Sequence, residues 1–441
     1  MTLGSHHCQV TAPFRLCDAV ITIPLLPSEI VRSATTLTNS SVPIPRVLYC
    51  TDTYPPQVNG VSVVTAMSIA GLAKRGWECH VIAPKYPPPR ADAFPELRAP
   101  NAVAPTPLPS MYLPWYPDIR LAAPLLGRVA RTIDRFRPTL VHCATEFVIG
   151  WMGQRIANAR GLPLVSSYHT DFTRYAHAYR MPWLAKPITR FIGRFHRRSA
   201  RTYTPSVPAR ADLAAMGVAD VEIWGRAVDV SSFHPTKRSE PLRDTYGGRE
   251  SFLLLHVGRL APEKGVDRIL DAFALAQHLL PAGAIQLVVA GTGPSEDSLR
   301  RQAPANVTFL GNLDRRAVLP RLYASADAFV FASLTETLGL VVLEAMASGL
   351  PVIAAPAGGV ADHLQHGVNG LAYPDNDVEA LARAIVTMVL DRPMRHRLSG
   401  AARATAEALS WERELDRLDA SYREVIELNR QLDGLPALAP A

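Results

Sequence analysis

Glu336 and Glu344 stand eight positions apart around Gly339 in the run Ser333-Leu334-Thr335-Glu336-Thr337-Leu338-Gly339-Leu340-Val341-Val342-Leu343-Glu344. An ionised carboxylate only accepts hydrogen bonds, so two of them suit sugar hydroxyls better than phosphates. The apolar stretch Asp327 to Ala332 reads as a strand and Leu340 to Ala347 as a helix, which puts Glu336 in the loop between and Glu344 on the helix. Gly339 lets a ligand approach the backbone, and the first N–H groups of the helix, unpaired within it, face any anion. A sugar nucleotide fits this pattern: hydroxyls at the carboxylates, diphosphate at the helix start. Read alone, the same run is a capped helix with one solvated Glu.

Other residues converge on the same chemistry. Gly258-Arg259-Leu260-Ala261-Pro262-Glu263-Lys264-Gly265 follows an apolar strand and opens a helix. Arg259 and Lys264 would then sit at a strand's C-terminal end, where two cations can hold a diphosphate and stabilise its charge as it leaves, with no obligatory metal or cofactor. The alternative is a charged loop that Glu263 neutralises. Gly291-Thr292-Gly293-Pro294 is an incomplete glycine fingerprint, with Glu296 where a third Gly would stand, and reads as a tight turn. Asn59-Gly60 follows the first strand, and Gly60 permits close approach of a phosphate. His169 and Asp171 follow a strand ending at Tyr168. His169 can bond a sugar hydroxyl or act as a base, or it is a loop His satisfied by backbone. His142, on an apolar strand, reads as structural, and His363 and His366 as surface residues without a ligand set.

These residues need a frame, and the chain supplies it. Strand, turn and helix alternate from Arg46 onward, as in an α/β protein with parallel sheets. Strands are expected at Val47 to Cys50, Glu78 to Ala83, Leu140 to Cys143, Leu164 to Tyr168, Thr202 to Thr204 and Val221 to Ile223. Helices are expected at Ser62 to Arg75, Leu121 to Phe136, Ile149 to Arg160 and Pro187 to Ala200. The proline-rich stretch Tyr86 to Pro117 reads as a surface excursion. After a polar junction, Ser231 to Glu250, a second series begins: strands at Phe252 to Val257, Ile285 to Ala290, Val307 to Leu310, Asp327 to Phe331 and Pro351 to Ala354. Its helices are Gly265 to His278, Ser295 to Gln302, Arg315 to Ala324 and Leu340 to Ala347. Two doubly wound units would turn their strand ends toward one cleft, where such sheets bind ligands. The expected divisions are a disordered extension over 1–44, a first domain over 45–230 and a second over 231–410. A helix over 411–432 would cross back to the first domain, ahead of a loose tail, 433–441.

The 441 residues exceed one simple core, and 48% hydrophobic with 19% charged residues is globular composition without a membrane span. Five scattered cysteines with no C-x-x-C pair fit a reducing, cytoplasmic setting and argue against structural zinc. Residues 1–44 make a poor signal peptide, because Pro24 interrupts the apolar stretch and Asp18 flanks it. A net charge of +7 favours anionic partners, but no nucleic-acid motif accompanies it. The densest cluster, Lys186, Arg190, Arg194, Arg197, Arg198 and Arg201, interleaves with Ile188, Phe191, Ile192 and Phe195. It is either a membrane-surface helix or a half-buried helix with a solvated basic face.

Together these motifs resemble the retaining nucleotide-sugar glycosyltransferases of family 4, with the two-domain GT-B fold, over roughly residues 46 to 430. His142 to Glu146 and Tyr168-His169-Thr170-Asp171 resemble the subgroup of plant sulfolipid synthase and bacterial glycolipid mannosyltransferases. The resemblance implies that Glu336 and His169 contact the donor sugar and Glu344 the ribose. Arg259, Lys264 and the N–H groups of Gly339, Leu340 and Val341 would hold the diphosphate, with Gly60 approaching it from the other domain. It places the acceptor near Asp171 and lets the leaving diphosphate take the acceptor proton on the same face. The expected reaction moves a hexose, mannose from GDP-mannose before a UDP-sugar, to a glycolipid or polyprenyl-linked acceptor at the inner face of the membrane. A sugar-nucleotide epimerase and a non-catalytic binder are the other readings. One departure stands out: Arg226-Ala227-Val228-Asp229 carries Ala where such enzymes carry Gly, which would strain a turn that needs positive φ.

Overall fold

The computed structural model describes residues 44–57, 59–86, 103–113, 116–179, 181–247 and 251–433. The expected extension up to residue 43 and the tail from 434 lie outside the described residues. In chain order the first half comprises β1 (Arg46–Cys50), α1 (Gly60–Lys74), β2 (Glu78–Pro84), β3 (Thr106–Leu108), β4 (Ser110–Leu113), β5 (Tyr116–Ala122), α2 (Leu126–Phe136), β6 (Leu140–Cys143) and α3 (Val148–Ala159). It continues with β7 (Leu164–Ser167), α4 (Phe172–Ala178), α5 (Ala185–His196), β8 (Arg201–Thr204), α6 (Val207–Ala215) and β9 (Val221–Ile223). The second half comprises α7 (Glu240–Tyr246), β10 (Phe252–Val257), α8 (Val266–Leu279), β11 (Ile285–Ala290), α9 (Glu296–Gln302), β12 (Val307–Gly311), α10 (Leu319–Ser325), β13 (Ala328–Phe331) and α11 (Leu340–Ala347). β14 (Val352–Ala354), β15 (Gly370–Ala372), α12 (Val378–Leu390), α13 (Arg392–Glu407) and α14 (Trp411–Asp433) complete it.

Seven parallel strands form the first sheet in the order β3-β2-β1-β6-β7-β8-β9, and six form the second in the order β12-β11-β10-β13-β14-β15. The strands are short apolar runs because helices cover both faces, so both side-chain rows are buried. In β10 every residue from Phe252 to Val257 is buried. Strand order reverses between β1 and β6 and between β10 and β13. At such reversals the following loops diverge and leave a crevice. The loops after β1, β6, β10 and β13 therefore define where a ligand can bind.

Helix α11 shows how the core fixes the site. Val342, Leu343 and Met346 are fully buried against the second sheet; each such side chain contributes about 1.5–3 kcal/mol. The helix has no side-chain cap. It starts at Gly339 in the left-handed conformation (φ 76°), so burial and that glycine, rather than capping, set its first turn. Helix α1 is capped by Asn59, whose side chain accepts from the Ser62 N–H at 2.9 Å. Helix α14 lies against the first sheet. Tyr422 Oη meets Tyr49 Oη at 2.8 Å, Ser421 meets Tyr203 Oη at 2.7 Å, and Trp77 Nε1 donates to Asp419 at 2.6 Å. His142 sits inside this network, bonded to Tyr422 and, at 2.7 Å, to Ser167.

Several expectations need correction. Leu121 and Ala122 end β5, and the helix expected from Leu121 begins at Leu126. Of the proline-rich excursion, residues 87–102 lie outside the described residues, but β3 joins the sheet edge and β4 pairs with β5 as a hairpin. Helix α7 occupies the polar junction. His363 is 4% exposed, not a surface residue. Ala227 is fully buried and is not among the residues with positive φ; Gly225, two residues earlier, takes that conformation at 89°. The turn accommodates Ala227 without the anticipated strain. Arg201 is no part of the basic helix: it begins β8 and pairs with Asp220 and Glu424.

Candidate active site

A cleft of about 730 Å³ is lined by residues from all four crevice loops. From the second half come Arg259, Glu263, Lys264, Glu336, Gly339, Leu340, Val341 and Glu344; from the first come Asp52, Gly60, Glu146, His169 and Tyr175. Nine of the ten sequence-derived site residues thus share one cavity. Asp171 does not line it.

The loops are packed together by close backbone approach. A Cβ on Gly291 would lie 1.8 Å from the Gly258 carbonyl oxygen, and one on Gly293 2.3 Å from that of Leu260. Only glycines let the β11 loop support the loop carrying Arg259 and Lys264, which is the role of the incomplete fingerprint. Gly60, by contrast, has open space where a Cβ would project.

Lys264 Nζ donates to Glu336 Oε1, joining the loops after β10 and β13. Burial works against both charges, but the pairing outweighs it. Glu336 is held below the ordinary carboxylate range, and Lys264 is pushed above the ordinary amine range with help from Tyr175 and Glu263. Burial lowers the Arg259 pKa, against the pull of Glu263. Glu344 is fully buried; Arg315 Nη2 and, at 3.3 Å, Tyr323 Oη donate to it. Burial raises its pKa, opposed by Arg315. A carboxylate with two fixed donors keeps its remaining lone pairs aimed in one direction, which suits a diol such as a ribose.

Across the cleft, burial with His196 nearby pushes the His169 pKa down to about 4, so the ring is neutral at pH 7 and can donate and accept. The two halves touch here: Thr337 Oγ1 donates to the His169 carbonyl at 2.5 Å and Arg174 Nη1 to the Leu334 carbonyl at 3.0 Å. Asp171 caps α4, accepting from the Arg174 N–H at 3.0 Å, and pairs with the Arg174 side chain at 3.0 Å. Arg315 and Asp52 were not singled out by the sequence. Arg315 lies after β12 in Asp314-Arg315-Arg316, and its only signal was a basic pair following a strand. Asp52 follows β1 directly and accepts from Thr145 Oγ1 at 2.7 Å and the Ile149 N–H at 2.9 Å.

Two parallel α/β units with a cleft at their paired reversal points define a GT-B architecture, and its known relatives agree. Residues 58–232 match Glycosyltransferase Family 4 and residues 243–405 match Glycosyl transferases group 1. A GDP-mannose-dependent alpha-mannosyltransferase of Mycobacterium tuberculosis is 35% identical over 86% of this chain and 97% of its own length. The sulfoquinovosyl transferase SQD2 of Arabidopsis thaliana is 36% identical over 68% of this chain and 59% of its own. Among solved structures, Anabaena Alr3699/HepE in complex with UDP superposes with a TM-score of 0.69 at 21% identity, over 86% of this chain and 100% of that one. A sucrose-phosphate synthase from Thermosynechococcus elongatus gives 0.70 at 20% identity, over 87% and 99%. The chain belongs to glycosyltransferase family 4 and is a retaining glycosyltransferase that uses a nucleotide-sugar donor. The epimerase and non-catalytic readings fall with that assignment.

Proposed function

We propose that the chain transfers mannose from GDP-mannose to a glycolipid or polyprenyl-linked acceptor, with retention at the sugar carbon. The observation that carries the chemistry is the pairing of Lys264 with Glu336 in a cleft that Arg259 and the Gly339 helix start also line, at one strand reversal. In this reading those two cations, with the N–H groups of Gly339, Leu340 and Val341, take the diphosphate and the charge it gains on leaving, without a metal. Glu336 and neutral His169 hold the donor sugar, Glu344 the ribose, and Gly60 lets the first domain close on the phosphates. The leaving oxygen accepts the acceptor's proton on the same face. Asp171, committed to α4 and Arg174, acts by positioning the loop of His169. The choice of mannose rests on the GDP-mannose-dependent relatives; SQD2 keeps a UDP-sugar donor as the second reading.

Thermal stabilisation tests the donor. GDP-mannose and GDP should raise the melting temperature while UDP-glucose and UDP-galactose do not, because a ligand at 100 times its Kd adds about 2.7 kcal/mol. Glu344→Ala should weaken GDP roughly 30-fold, the scale of a hydrogen bond to a charged group. A shift by UDP-sugars alone would overturn the mannose assignment.

The acceptor side favours attachment at the inner face of an anionic membrane, the cytoplasmic surface. The described residues contain no helix long and apolar enough to cross one. Helix α5 buries Ile192 and Phe195, while Lys186, Arg190, Arg194 and Arg197 face out beside Trp183 and Phe191, 68% and 42% exposed. Basic residues with aromatic rings between them suit an anionic interface. Sedimentation with phosphatidylglycerol vesicles should fall several-fold between 50 and 300 mM salt, on the order of what a Debye length shrinking below 10 Å implies, and Arg190→Glu/Arg194→Glu should abolish it. Salt-independent pelleting, or none by the wild type, would sink the idea.

A further inference from the structure

One cation in the cleft has no part in the donor chemistry. Arg120, on β5, donates from Nε to Ser110 Oγ at 2.9 Å and from Nη2 to the Ser110 carbonyl at 3.0 Å. Its guanidinium carbon lies 4.0 Å from the centre of the Tyr112 ring and 5.9 Å from that of Tyr86. Two ring faces and two bonds to Ser110 hold the planar group in one orientation. Its third nitrogen, Nη1, is buried and has no hydrogen-bond partner among the described residues. No carboxylate among the described residues forms an ion pair with Arg120.

A buried N–H left unpaired costs free energy, so this one calls for a partner, and a bound anion is one that would supply it. The carboxylates in the same half of the cleft are committed elsewhere: Asp52 to Thr145 and the start of α3, and Glu146 to His196 at 3.3 Å. Tyr86 Oη donates to Gln57 Oε1 at 2.8 Å, which ties the clamp to the loop after β1 that carries Gly60. The clamp therefore faces the shared cavity from the half opposite Arg259 and Lys264.

We propose that Arg120, clamped by Tyr86 and Tyr112, binds an acidic group on the sugar acceptor. This rests on the glycosyltransferase reading and deepens it: the acceptor headgroup carries an oxyanion, a phosphodiester or a uronate carboxylate, that accepts from the guanidinium. A planar fork of donors matches either group. The anion sets the acceptor's position from one side while the donor is held from the other.

The test is calorimetric titration of the full chain, with and without saturating GDP, using glycerophosphoinositol, methyl glucuronide and neutral methyl glucoside. One acidic probe should bind at least 10-fold tighter than the glucoside with GDP present, and which one does so distinguishes phosphodiester from carboxylate. Arg120→Gln should remove that preference and leave the GDP affinity unchanged, which also shows the variant is folded. Tyr112→Ala, at a half-exposed ring, should weaken the same probe several-fold. Equal binding of acidic and neutral probes, a preference that survives in Arg120→Gln, or a parallel loss of GDP affinity would overturn the assignment. GDP that fails to bind the wild type, with an Arg120-dependent acid preference still present, overturns the GDP donor and leaves the acceptor site standing.

Discussion

Lys264→Ala should lower kcat/KM for sugar transfer by roughly a thousand-fold, the scale of removing one preorganised charge from a reacting centre. The ammonium lies beside Glu336, at the loop proposed to hold the departing diphosphate. Two effects act together. The leaving group loses a cation, and Glu336, held ionised mainly against burial by Lys264, loses its partner and takes up a proton at higher pH. Breaking a fully buried pair costs about 3–5 kcal/mol. Here the side chains keep 15% and 17% of their exposure, so the stability loss should fall below that range. Lys264→Met with Glu336→Gln isolates the stability effect: with no buried charge left unpaired, stability should return. Steady-state label transfer and urea melts on the three proteins read both quantities. A rate loss under ten-fold in a folded Lys264→Ala protein would move the leaving-group role elsewhere.

That pair shows what the sequence made legible. Glu336, Lys264 and Gly339 lie directly after apolar strands, and parallel topology obliges the loops that follow adjacent strands to meet at a reversal. Type, spacing and topology were enough to gather them. Arg315 was different, because its partner Glu344 is 29 residues away and nothing local marks which of two neighbouring arginines turns inward. Arg120 stood just past the proline-rich stretch and just before the expected helix, where the prolines concealed a hairpin that only pairing between β4 and β5 defines. Ala227 failed in the opposite direction. The family pattern demanded glycine, but the positive φ falls at Gly225, so the backbone had already turned. His363 looked like a surface residue for want of a ligand set, yet it is buried next to Asp362, which pairs with Arg226 of the first half.

Burial of histidines should make the protein acid-labile, with unfolding free energy dropping by on the order of 5 kcal/mol per pH unit once the pH is well below 6.5. His142, His256 and His363 are 1%, 0% and 4% exposed. Burial depresses their pKa values to about 3, about 4 and about 4, and that of the cleft residue His169 to about 4 as well. The sign follows from proton counting. Below about 6.5 the unfolded chain protonates each ring while the native state does not, so the unfolded state binds more protons and stability falls with pH. No penalty exists above that value, and it grows until the folded pKa is reached. Each ring removes about 1.4 kcal/mol per unit, against a total stability of about 5–15 kcal/mol for a folded domain. Asp52 and Glu344, raised by burial, take up protons in the native state before the unfolded chain does and oppose the trend as the pH falls, so the slope is read from pH 6.5 to 5.5, the first unit in which the unfolded rings charge. Urea melts across that window should show a net uptake on unfolding that rises from about two protons toward four. His256 is the ring to replace. It stacks near Phe329 and Phe331, bonds through Nδ1 to the Val330 carbonyl at 3.1 Å, and has no partner for Nε2 among the described residues. His256→Phe should flatten the slope by about one proton. Because β10 runs from His256 straight into the Gly258–Lys264 loop, donor binding should be lost with the same midpoint as the fold. A stability that stays flat from pH 7 to 5.5 would mean that these rings are charged in the native state.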